Sequence, residues 1–175
     1  MPALTYLSAI RFDGTDAGDF LQNQLSADLL ALATGESTFA CYCEPKGRVL
    51  ALMLVCRLEE AFLVILSSEL AQPIADRMKI YVIRSKVNIE VLYGHVVTGT
   101  AERSESLTDS ALAVIPVPAR NKYLVVFEHA ISYGSDEATQ MAWKASELQR
   151  GITWIGAASS GEFIPQMLGF DQIGA

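Results

Sequence analysis

No apolar run in this sequence approaches the roughly 20 residues that cross a bilayer. The longest such stretches, Val49 to Cys56 among them, stop far short. The opening, Met-Pro-Ala-Leu-Thr-Tyr, has no basic flank ahead of an apolar segment and so lacks the pattern of a secretory signal. The expectation is an uncleaved cytoplasmic protein with no membrane partner. Cysteine is scarce: three residues, an odd number with no framework spacing, which argues against a disulfide scaffold. Histidine is scarcer, with His95 and His129 alone. Neither has a serine or cysteine placed as nucleophile beside it, and there is no Gly-x-Ser-x-Gly elbow, which argues against nucleophilic hydrolysis. The run Gly156 to Gly161 lacks the Gly-Lys-Ser/Thr ending of a phosphate loop, and Gly14 with Gly18 makes no dinucleotide fingerprint. Positive charge is also in deficit: 13 Lys and Arg against 20 Asp and Glu give a net charge of −7. A phosphate backbone is repelled on average, so no nucleic-acid partner is expected.

Apolar side chains, by contrast, make up 51% of the 175 residues and charged ones only 19%. That is enough for one domain, or for two small lobes sharing a core, and it excludes disorder by composition.

The pattern along the chain is α+β. Leu4 to Phe12 reads as a strand ending at the Asp13-Gly14 turn. Thr15 or Asp16 caps a helix with Ala17, Phe20, Leu21 and Leu25 on one face, and Ser26 is expected to cap a second short helix over Ala27 to Leu32. Ser37 to Cys43, Val49 to Leu58 and Phe62 to Leu66 form an antiparallel meander with polar turns at Glu44-Pro-Lys-Gly47 and Glu59-Glu60. Ser67 or Ser68 opens a helix bearing Leu70, Ile74 and Met78, and Pro73 argues for a later start that puts it in the first turn. Strands are expected over Val87 to Leu92 and His95 to Gly99, completing a ferredoxin-like lobe. A loop at Ala101 to Ser110 leads to a second strand pair, Ala113 to Val117 and Tyr123 to Phe127. Ser135 to Glu137 begins a helix with Ala138, Met141, Ala145 and Leu148 facing inward, and the tail holds a short helix near Pro165 to Leu168.

Candidate chemistry is sparse. Cys41 and Cys43 share a strand face and Cys56 lies across a hairpin, but zinc asks for four ligands and both histidines are more than 35 residues away. Buried structural thiols are the simpler reading. Arg77, Lys79, Arg84 and Lys86 form the densest basic cluster, interleaved with Ile80 to Ile83 as expected of a helix end and a strand with solvated outer positions. Lys46 and Arg48 flank the glycine of a tight turn, where they could meet an anionic ligand or simply face water.

Four segments in order carry a resemblance. They are Phe12-Asp-Gly-Thr-Asp-Ala-Gly-Asp-Phe-Leu-Gln-Asn-Gln-Leu-Ser-Ala-Asp28, Cys43-Glu-Pro-Lys-Gly-Arg-Val-Leu50, Arg84-Ser-Lys-Val87 and Gly161-Glu-Phe-Ile-Pro-Gln-Met167. Together they resemble the YgfZ branch of the aminomethyltransferase (glycine-cleavage T-protein) family and span almost the whole chain. The resemblance implies the N-terminal folate-binding fold of that family, two interleaved lobes over residues 1–175, with tetrahydrofolate or a derivative as cofactor. It also implies support of iron–sulfur cluster assembly or repair, with iron–sulfur proteins or assembly factors as partners.

The family's Lys-Gly-Cys-Tyr-x-Gly-Gln-Glu signature would begin just past Ala175 and is absent, as is the C-terminal barrel. The chain therefore reads as a truncated form, with self-association through surface so exposed. T-proteins carry an aspartate after the corresponding hairpin, where this sequence has Val49-Leu-Ala-Leu52. An aliphatic side chain cannot move a proton, so aminomethyl transfer is not expected. The pterin-binding glutamate of T-proteins matches Gln149, which still offers an amide to a pterin edge or simply ends a helix. Arg57, at the end of the strand that lines the family's channel, joins Lys46 and Arg48 as a cation for the folate glutamate tail. No residue is assigned a catalytic role and none a metal.

Overall fold

The computed structural model describes residues 1–128 and 136–175. Strand β1 (Leu7–Asp13) leads through a turn into helix α1 (Ala17–Gln24), and β2 (Ser37–Cys43), β3 (Val49–Arg57) and β4 (Ala61–Ser67) follow as a meander. Helix α2 (Ser68–Lys79) then returns the chain to β5 (Asn88–Val91). The five strands form one antiparallel sheet in the order β2-β3-β4-β1-β5. Without β2, the path β1-α1-β3-β4-α2-β5 is the split βαβ pattern of a ferredoxin-like lobe, and β2 widens it at the β3 edge. β1 is an interior strand, paired with β4 on one side and the edge strand β5 on the other.

A smaller sheet comprises β6 (Val96–Thr100), β7 (Ala113–Pro116) and β8 (Tyr123–Phe127), in the order β6-β8-β7. The first residues of the chain join its free edge: Ala3 bridges to Thr98, and the Leu4 N–H donates to the Val97 carbonyl. The short α3 (Glu105–Ser110) and the longer α4 (Glu137–Leu148) complete this half, followed by 3-10 turns at Pro165–Leu168 and Phe170–Ile173. The Ser37 hydroxyl donates to the Pro116 carbonyl and ties β2 to β7.

Every residue of β4 is buried, so both faces of the large sheet are covered. α2 packs over β1, β4 and β5 through Leu70, Ala71, Ile74, Ala75 and Met78. Elsewhere Trp154 of the tail stands against Phe39 of β2, with ring centroids 6.2 Å apart. Among the described residues no helix is long and apolar enough to cross a membrane.

Several expectations fail for physical reasons. The strand expected at His95 to Gly99 does not complete the ferredoxin-like lobe: as β6 it pairs with β8 and the chain's first residues in the smaller sheet. Residues 27–32 form no helix: the Ser26 hydroxyl accepts from the Cys41 N–H, and Leu25 bridges to Tyr42, so the strand takes the serine that a helix would use as a cap. The freed N–H groups of Leu29 and Leu30 donate to the Gln22 side chain instead. Pro73 lies in the second turn of α2, since the helix starts at Ser68; its ring faces solvent, where the unbonded carbonyl can take water. In α4 the inward face is not the apolar one: Ala138, Met141, Ala145 and Leu148 are exposed, while Glu147 is buried. The start of α4 at Ser135 and the second histidine, His129, lie outside the described residues.

Candidate functional site

The family-like segments turn out to be joints. Asp16 of the first segment accepts the Lys86 N–H of the third at 2.7 Å, and the Asp16 N–H donates back to the Lys86 carbonyl. The first segment also pairs with β2, where Ser26 and Cys41 exchange hydrogen bonds. The second and fourth segments are stitched by Val49, whose N–H donates to the Phe163 carbonyl and whose carbonyl accepts from Gly161. The Ser160 hydroxyl adds a bond to the Leu50 carbonyl. Residues more than 100 positions apart are thereby held as one surface.

The four sequence-derived cofactor residues do not converge. Lys46 is exposed at the turn before β3. Arg48, beside it, turns to the tail and donates to the carbonyls of Gly161 at 3.3 Å and Glu162 at 3.0 Å. Arg57 ends the same strand, about 30 Å from Arg48 at the usual rise per residue. Its guanidinium donates to the Leu32 carbonyl at 2.8 Å and stands 6.0 Å over the Phe62 ring, beside a cleft of about 600 Å³. Asp13, Asp19, Glu59 and Glu60 also line that cleft, so an anionic tail there meets more carboxylates than cations. Gln149 caps the C-terminus of α4 with an exposed side chain. Because Arg48 holds the tail, Arg48→Ala is expected to leave the core intact and to raise cleavage by a nonspecific protease near residues 160–163. Unchanged cleavage would mean that the backbone bonds of Val49 suffice.

Glu147 is the residue that sequence reading missed. It is 5% exposed, and one of its oxygens accepts from the Tyr6 hydroxyl at 2.9 Å and from the Trp154 indole N–H at 3.1 Å. The Trp143 indole N–H is buried nearby without hydrogen-bond geometry, although its approach still favours the charged carboxylate. Burial pushes the Glu147 carboxyl up from its ordinary value, against the pull of these donors and of Lys122. Burial, then the neighbouring carboxylate, raises the Tyr6 phenol as well. Lys122 donates to the Ser146 hydroxyl at 2.6 Å and stands 4.2 Å over Trp143, and burial lowers its pKa. The only local signal was an acid two residues before Gln149; its partners lie 141 positions upstream and 7 downstream.

Cys41 and Cys43 neighbour each other on β2, but Cys56 stays apart from them. In the β2–β3 register Cys56 faces Ser37 while Cys41 faces Leu52, four residues along, or about 13 Å. Among the described residues no three His, Cys, Asp or Glu gather as metal ligands. Burial pushes the Cys41 thiol up to about 12 and the Cys56 thiol up to about 11, so both are neutral and unreactive near neutral pH.

No family model matches the chain. An uncharacterised protein of Haemophilus influenzae is 27% identical over 172 residues, covering 98% of this chain and 60% of that protein. The tRNA-modifying protein YgfZ of Shigella sonnei is 27% identical, covering 92% of this chain and 57% of its own length. The YgfZ of Escherichia coli K12 is 26% identical with the same coverage. The chain thus spans about three fifths of the curated relatives it matches. Among solved structures, the glycine cleavage system aminomethyltransferase T of Bartonella henselae superposes with a TM-score of 0.58 at 16% identity, over 90% of this chain and 48% of that one. The fold is accordingly a GcvT-like α+β fold. Within it the sequence is YgfZ-like.

Proposed function

We propose that this chain binds a reduced folate, tetrahydrofolate or a derivative, without transferring an aminomethyl group. The observation that carries this reading is the start of β3. Val49, Ala51 and Leu52 are no more than 1% exposed and wholly aliphatic, so this stretch supplies no group to exchange a proton with a folate nitrogen. The fold and the YgfZ-like sequence support the ligand class. Gln149 would meet the pterin edge, and Lys46 is the candidate cation whose charge is not already turned to a backbone carbonyl. Arg48 and Arg57, at opposite ends of one strand, would serve a single glutamate tail only one at a time.

The wider role belongs to the same proposal. The relatives are named for tRNA modification, and the resemblance points to iron–sulfur cluster assembly or repair, with iron–sulfur proteins or assembly factors as partners. Self-association would use the exposed apolar residues Met141, Leu148 and Met167.

Calorimetric titration with tetrahydrofolate, beside Gln149→Ala, tests the binding half. Saturable heat in the parent chain is expected, with affinity about tenfold weaker in the variant for one lost hydrogen bond to the bound pterin. Equal affinity in both chains would remove Gln149 from the site, and no binding by the parent would overturn the reading. An assay with an aminomethylated carrier protein is expected to yield no methylenetetrahydrofolate.

A further inference from the structure

Past Lys79 the chain leaves α2 as turn and coil, where sequence reading expected a helix end and a strand. Four cations fall in this short stretch: Arg77, Lys79, Arg84 and Lys86, with no acid between them. Among the described residues the ion pair is Arg11 with Asp13, so none of the four side chains forms a salt bridge, although the Asp16 carboxylate accepts the Lys86 backbone N–H. Ile80 and Ile83 are 72% and 82% exposed and Tyr81 is 47% exposed, an unusual outlay of apolar surface on one loop.

Beside the loop lies a cleft of about 230 Å³. Asn23 and Gln24 at the end of α1, Tyr42 of β2, and Arg77 and Tyr81 at and just past the end of α2 line it, with Glu44 as its one carboxylate. Burial raises the Tyr42 phenol against the pull of the nearby Arg77 guanidinium, whose Nε is buried with no hydrogen-bond partner. Amides read the edge of a planar heterocycle, and phenol and guanidinium planes stack on its face. Cations on the rim suit the phosphates on either side. A lipid headgroup would use the rim and the isoleucines but leave the amides and the guanidinium unused.

We propose that this loop and cleft bind a single-stranded stretch of RNA, with one unpaired base entering beside Tyr81 and Arg77 and the flanking phosphates meeting Lys79, Arg84 and Lys86. The net charge of −7 confines the contact to this patch, since the rest of the surface repels a phosphate backbone. The inference reverses the expectation drawn from net charge alone, and it does not depend on folate binding.

The test is fluorescence anisotropy of the whole chain with a short labelled single-stranded RNA, its duplex, and phosphatidylserine vesicles as competitor. The single strand is expected to bind more tightly than the duplex. The double variant Lys79→Glu/Arg84→Glu, at two exposed positions, is expected to lose at least about tenfold in affinity and to lower the log–log salt slope by about 1.4. Tyr81→Ala is expected to lose about tenfold through stacking while leaving the slope unchanged. Thermal melts and the tetrahydrofolate titration are expected to be unaltered in both, which separates this proposal from the folate reading. Absence of RNA binding at low salt would overturn it, as would variants that bind like the parent. Duplex or vesicles bound as well as the single strand would overturn it too, because the patch would then be a general polyanion surface.

Discussion

Gly14→Ala is expected to cost about 3 kcal/mol or more of stability, read as a large drop in the urea midpoint. Gly14 sits at φ +113°, in a region that L side chains rarely adopt, and a Cβ there would lie 2.1 Å from the Lys86 carbonyl oxygen. The obstacle is backbone, held in place by the paired bonds between Asp16 and Lys86, so it cannot swing aside like a side chain. Gly47→Ala is the matched control: φ is +81° but nothing lies within 4 Å of the added carbon. It should show only the left-handed penalty of about 1 kcal/mol. Similar losses at the two positions would mean that the turn relaxes and that close approach to Lys86 is not what demands glycine.

The second large effect is at Glu147. Replacement by alanine strands the Tyr6 hydroxyl and the Trp154 indole in a dry site, and a loss of about 3 kcal/mol is expected. Glutamine keeps an acceptor oxygen without the buried charge, so Glu147→Gln should match or exceed the parent near neutral pH. The pH dependence follows from the raised carboxyl. A carboxyl whose folded pKa lies above its unfolded value favours folding fully below the unfolded value, and that contribution is lost as pH rises through the folded one. The parent should therefore fall behind the glutamine variant as pH climbs above the ordinary carboxyl value of 4.5, and the two should converge in acid. Parallel melting curves across that range would show that Glu147 does not titrate differently in the folded chain.

Much of the larger sheet was legible because its signals are local. Polar turns at Glu44 to Gly47 and Glu59-Glu60 bracket apolar β-prone runs, and β2, β3 and β4 fall where those runs do. Helix α2 was legible through the four-residue recurrence of Leu70, Ile74 and Met78. What failed depends on partners distant in sequence. Ser26 looks like a cap until Cys41 claims it, and α4 looks amphipathic along Ala138, Met141 and Leu148 until Tyr6 and Trp154 draw Glu147 inward. Trp143 follows the same logic. It packs over Gly99, where a Cβ would lie 2.6 Å from its ring, and nothing in the α4 sequence announces that contact. For the candidate site, the motifs singled out the segments, while only the structure shows that Arg48 is turned to the tail and that Arg77 and Tyr81 share a cleft.

The clip formed by Ala3 and Leu4 on β6 sets a schedule for synthesis. These residues leave the ribosome well before their partners Val97 and Thr98, which emerge only after the larger sheet has all its strands. The segment must wait while more than 90 residues are added, and it can meet β6 before β7 and β8 have emerged. Contacts of such long sequence separation slow folding. A chaperone that captures unpaired nascent segments would find this one available throughout that interval.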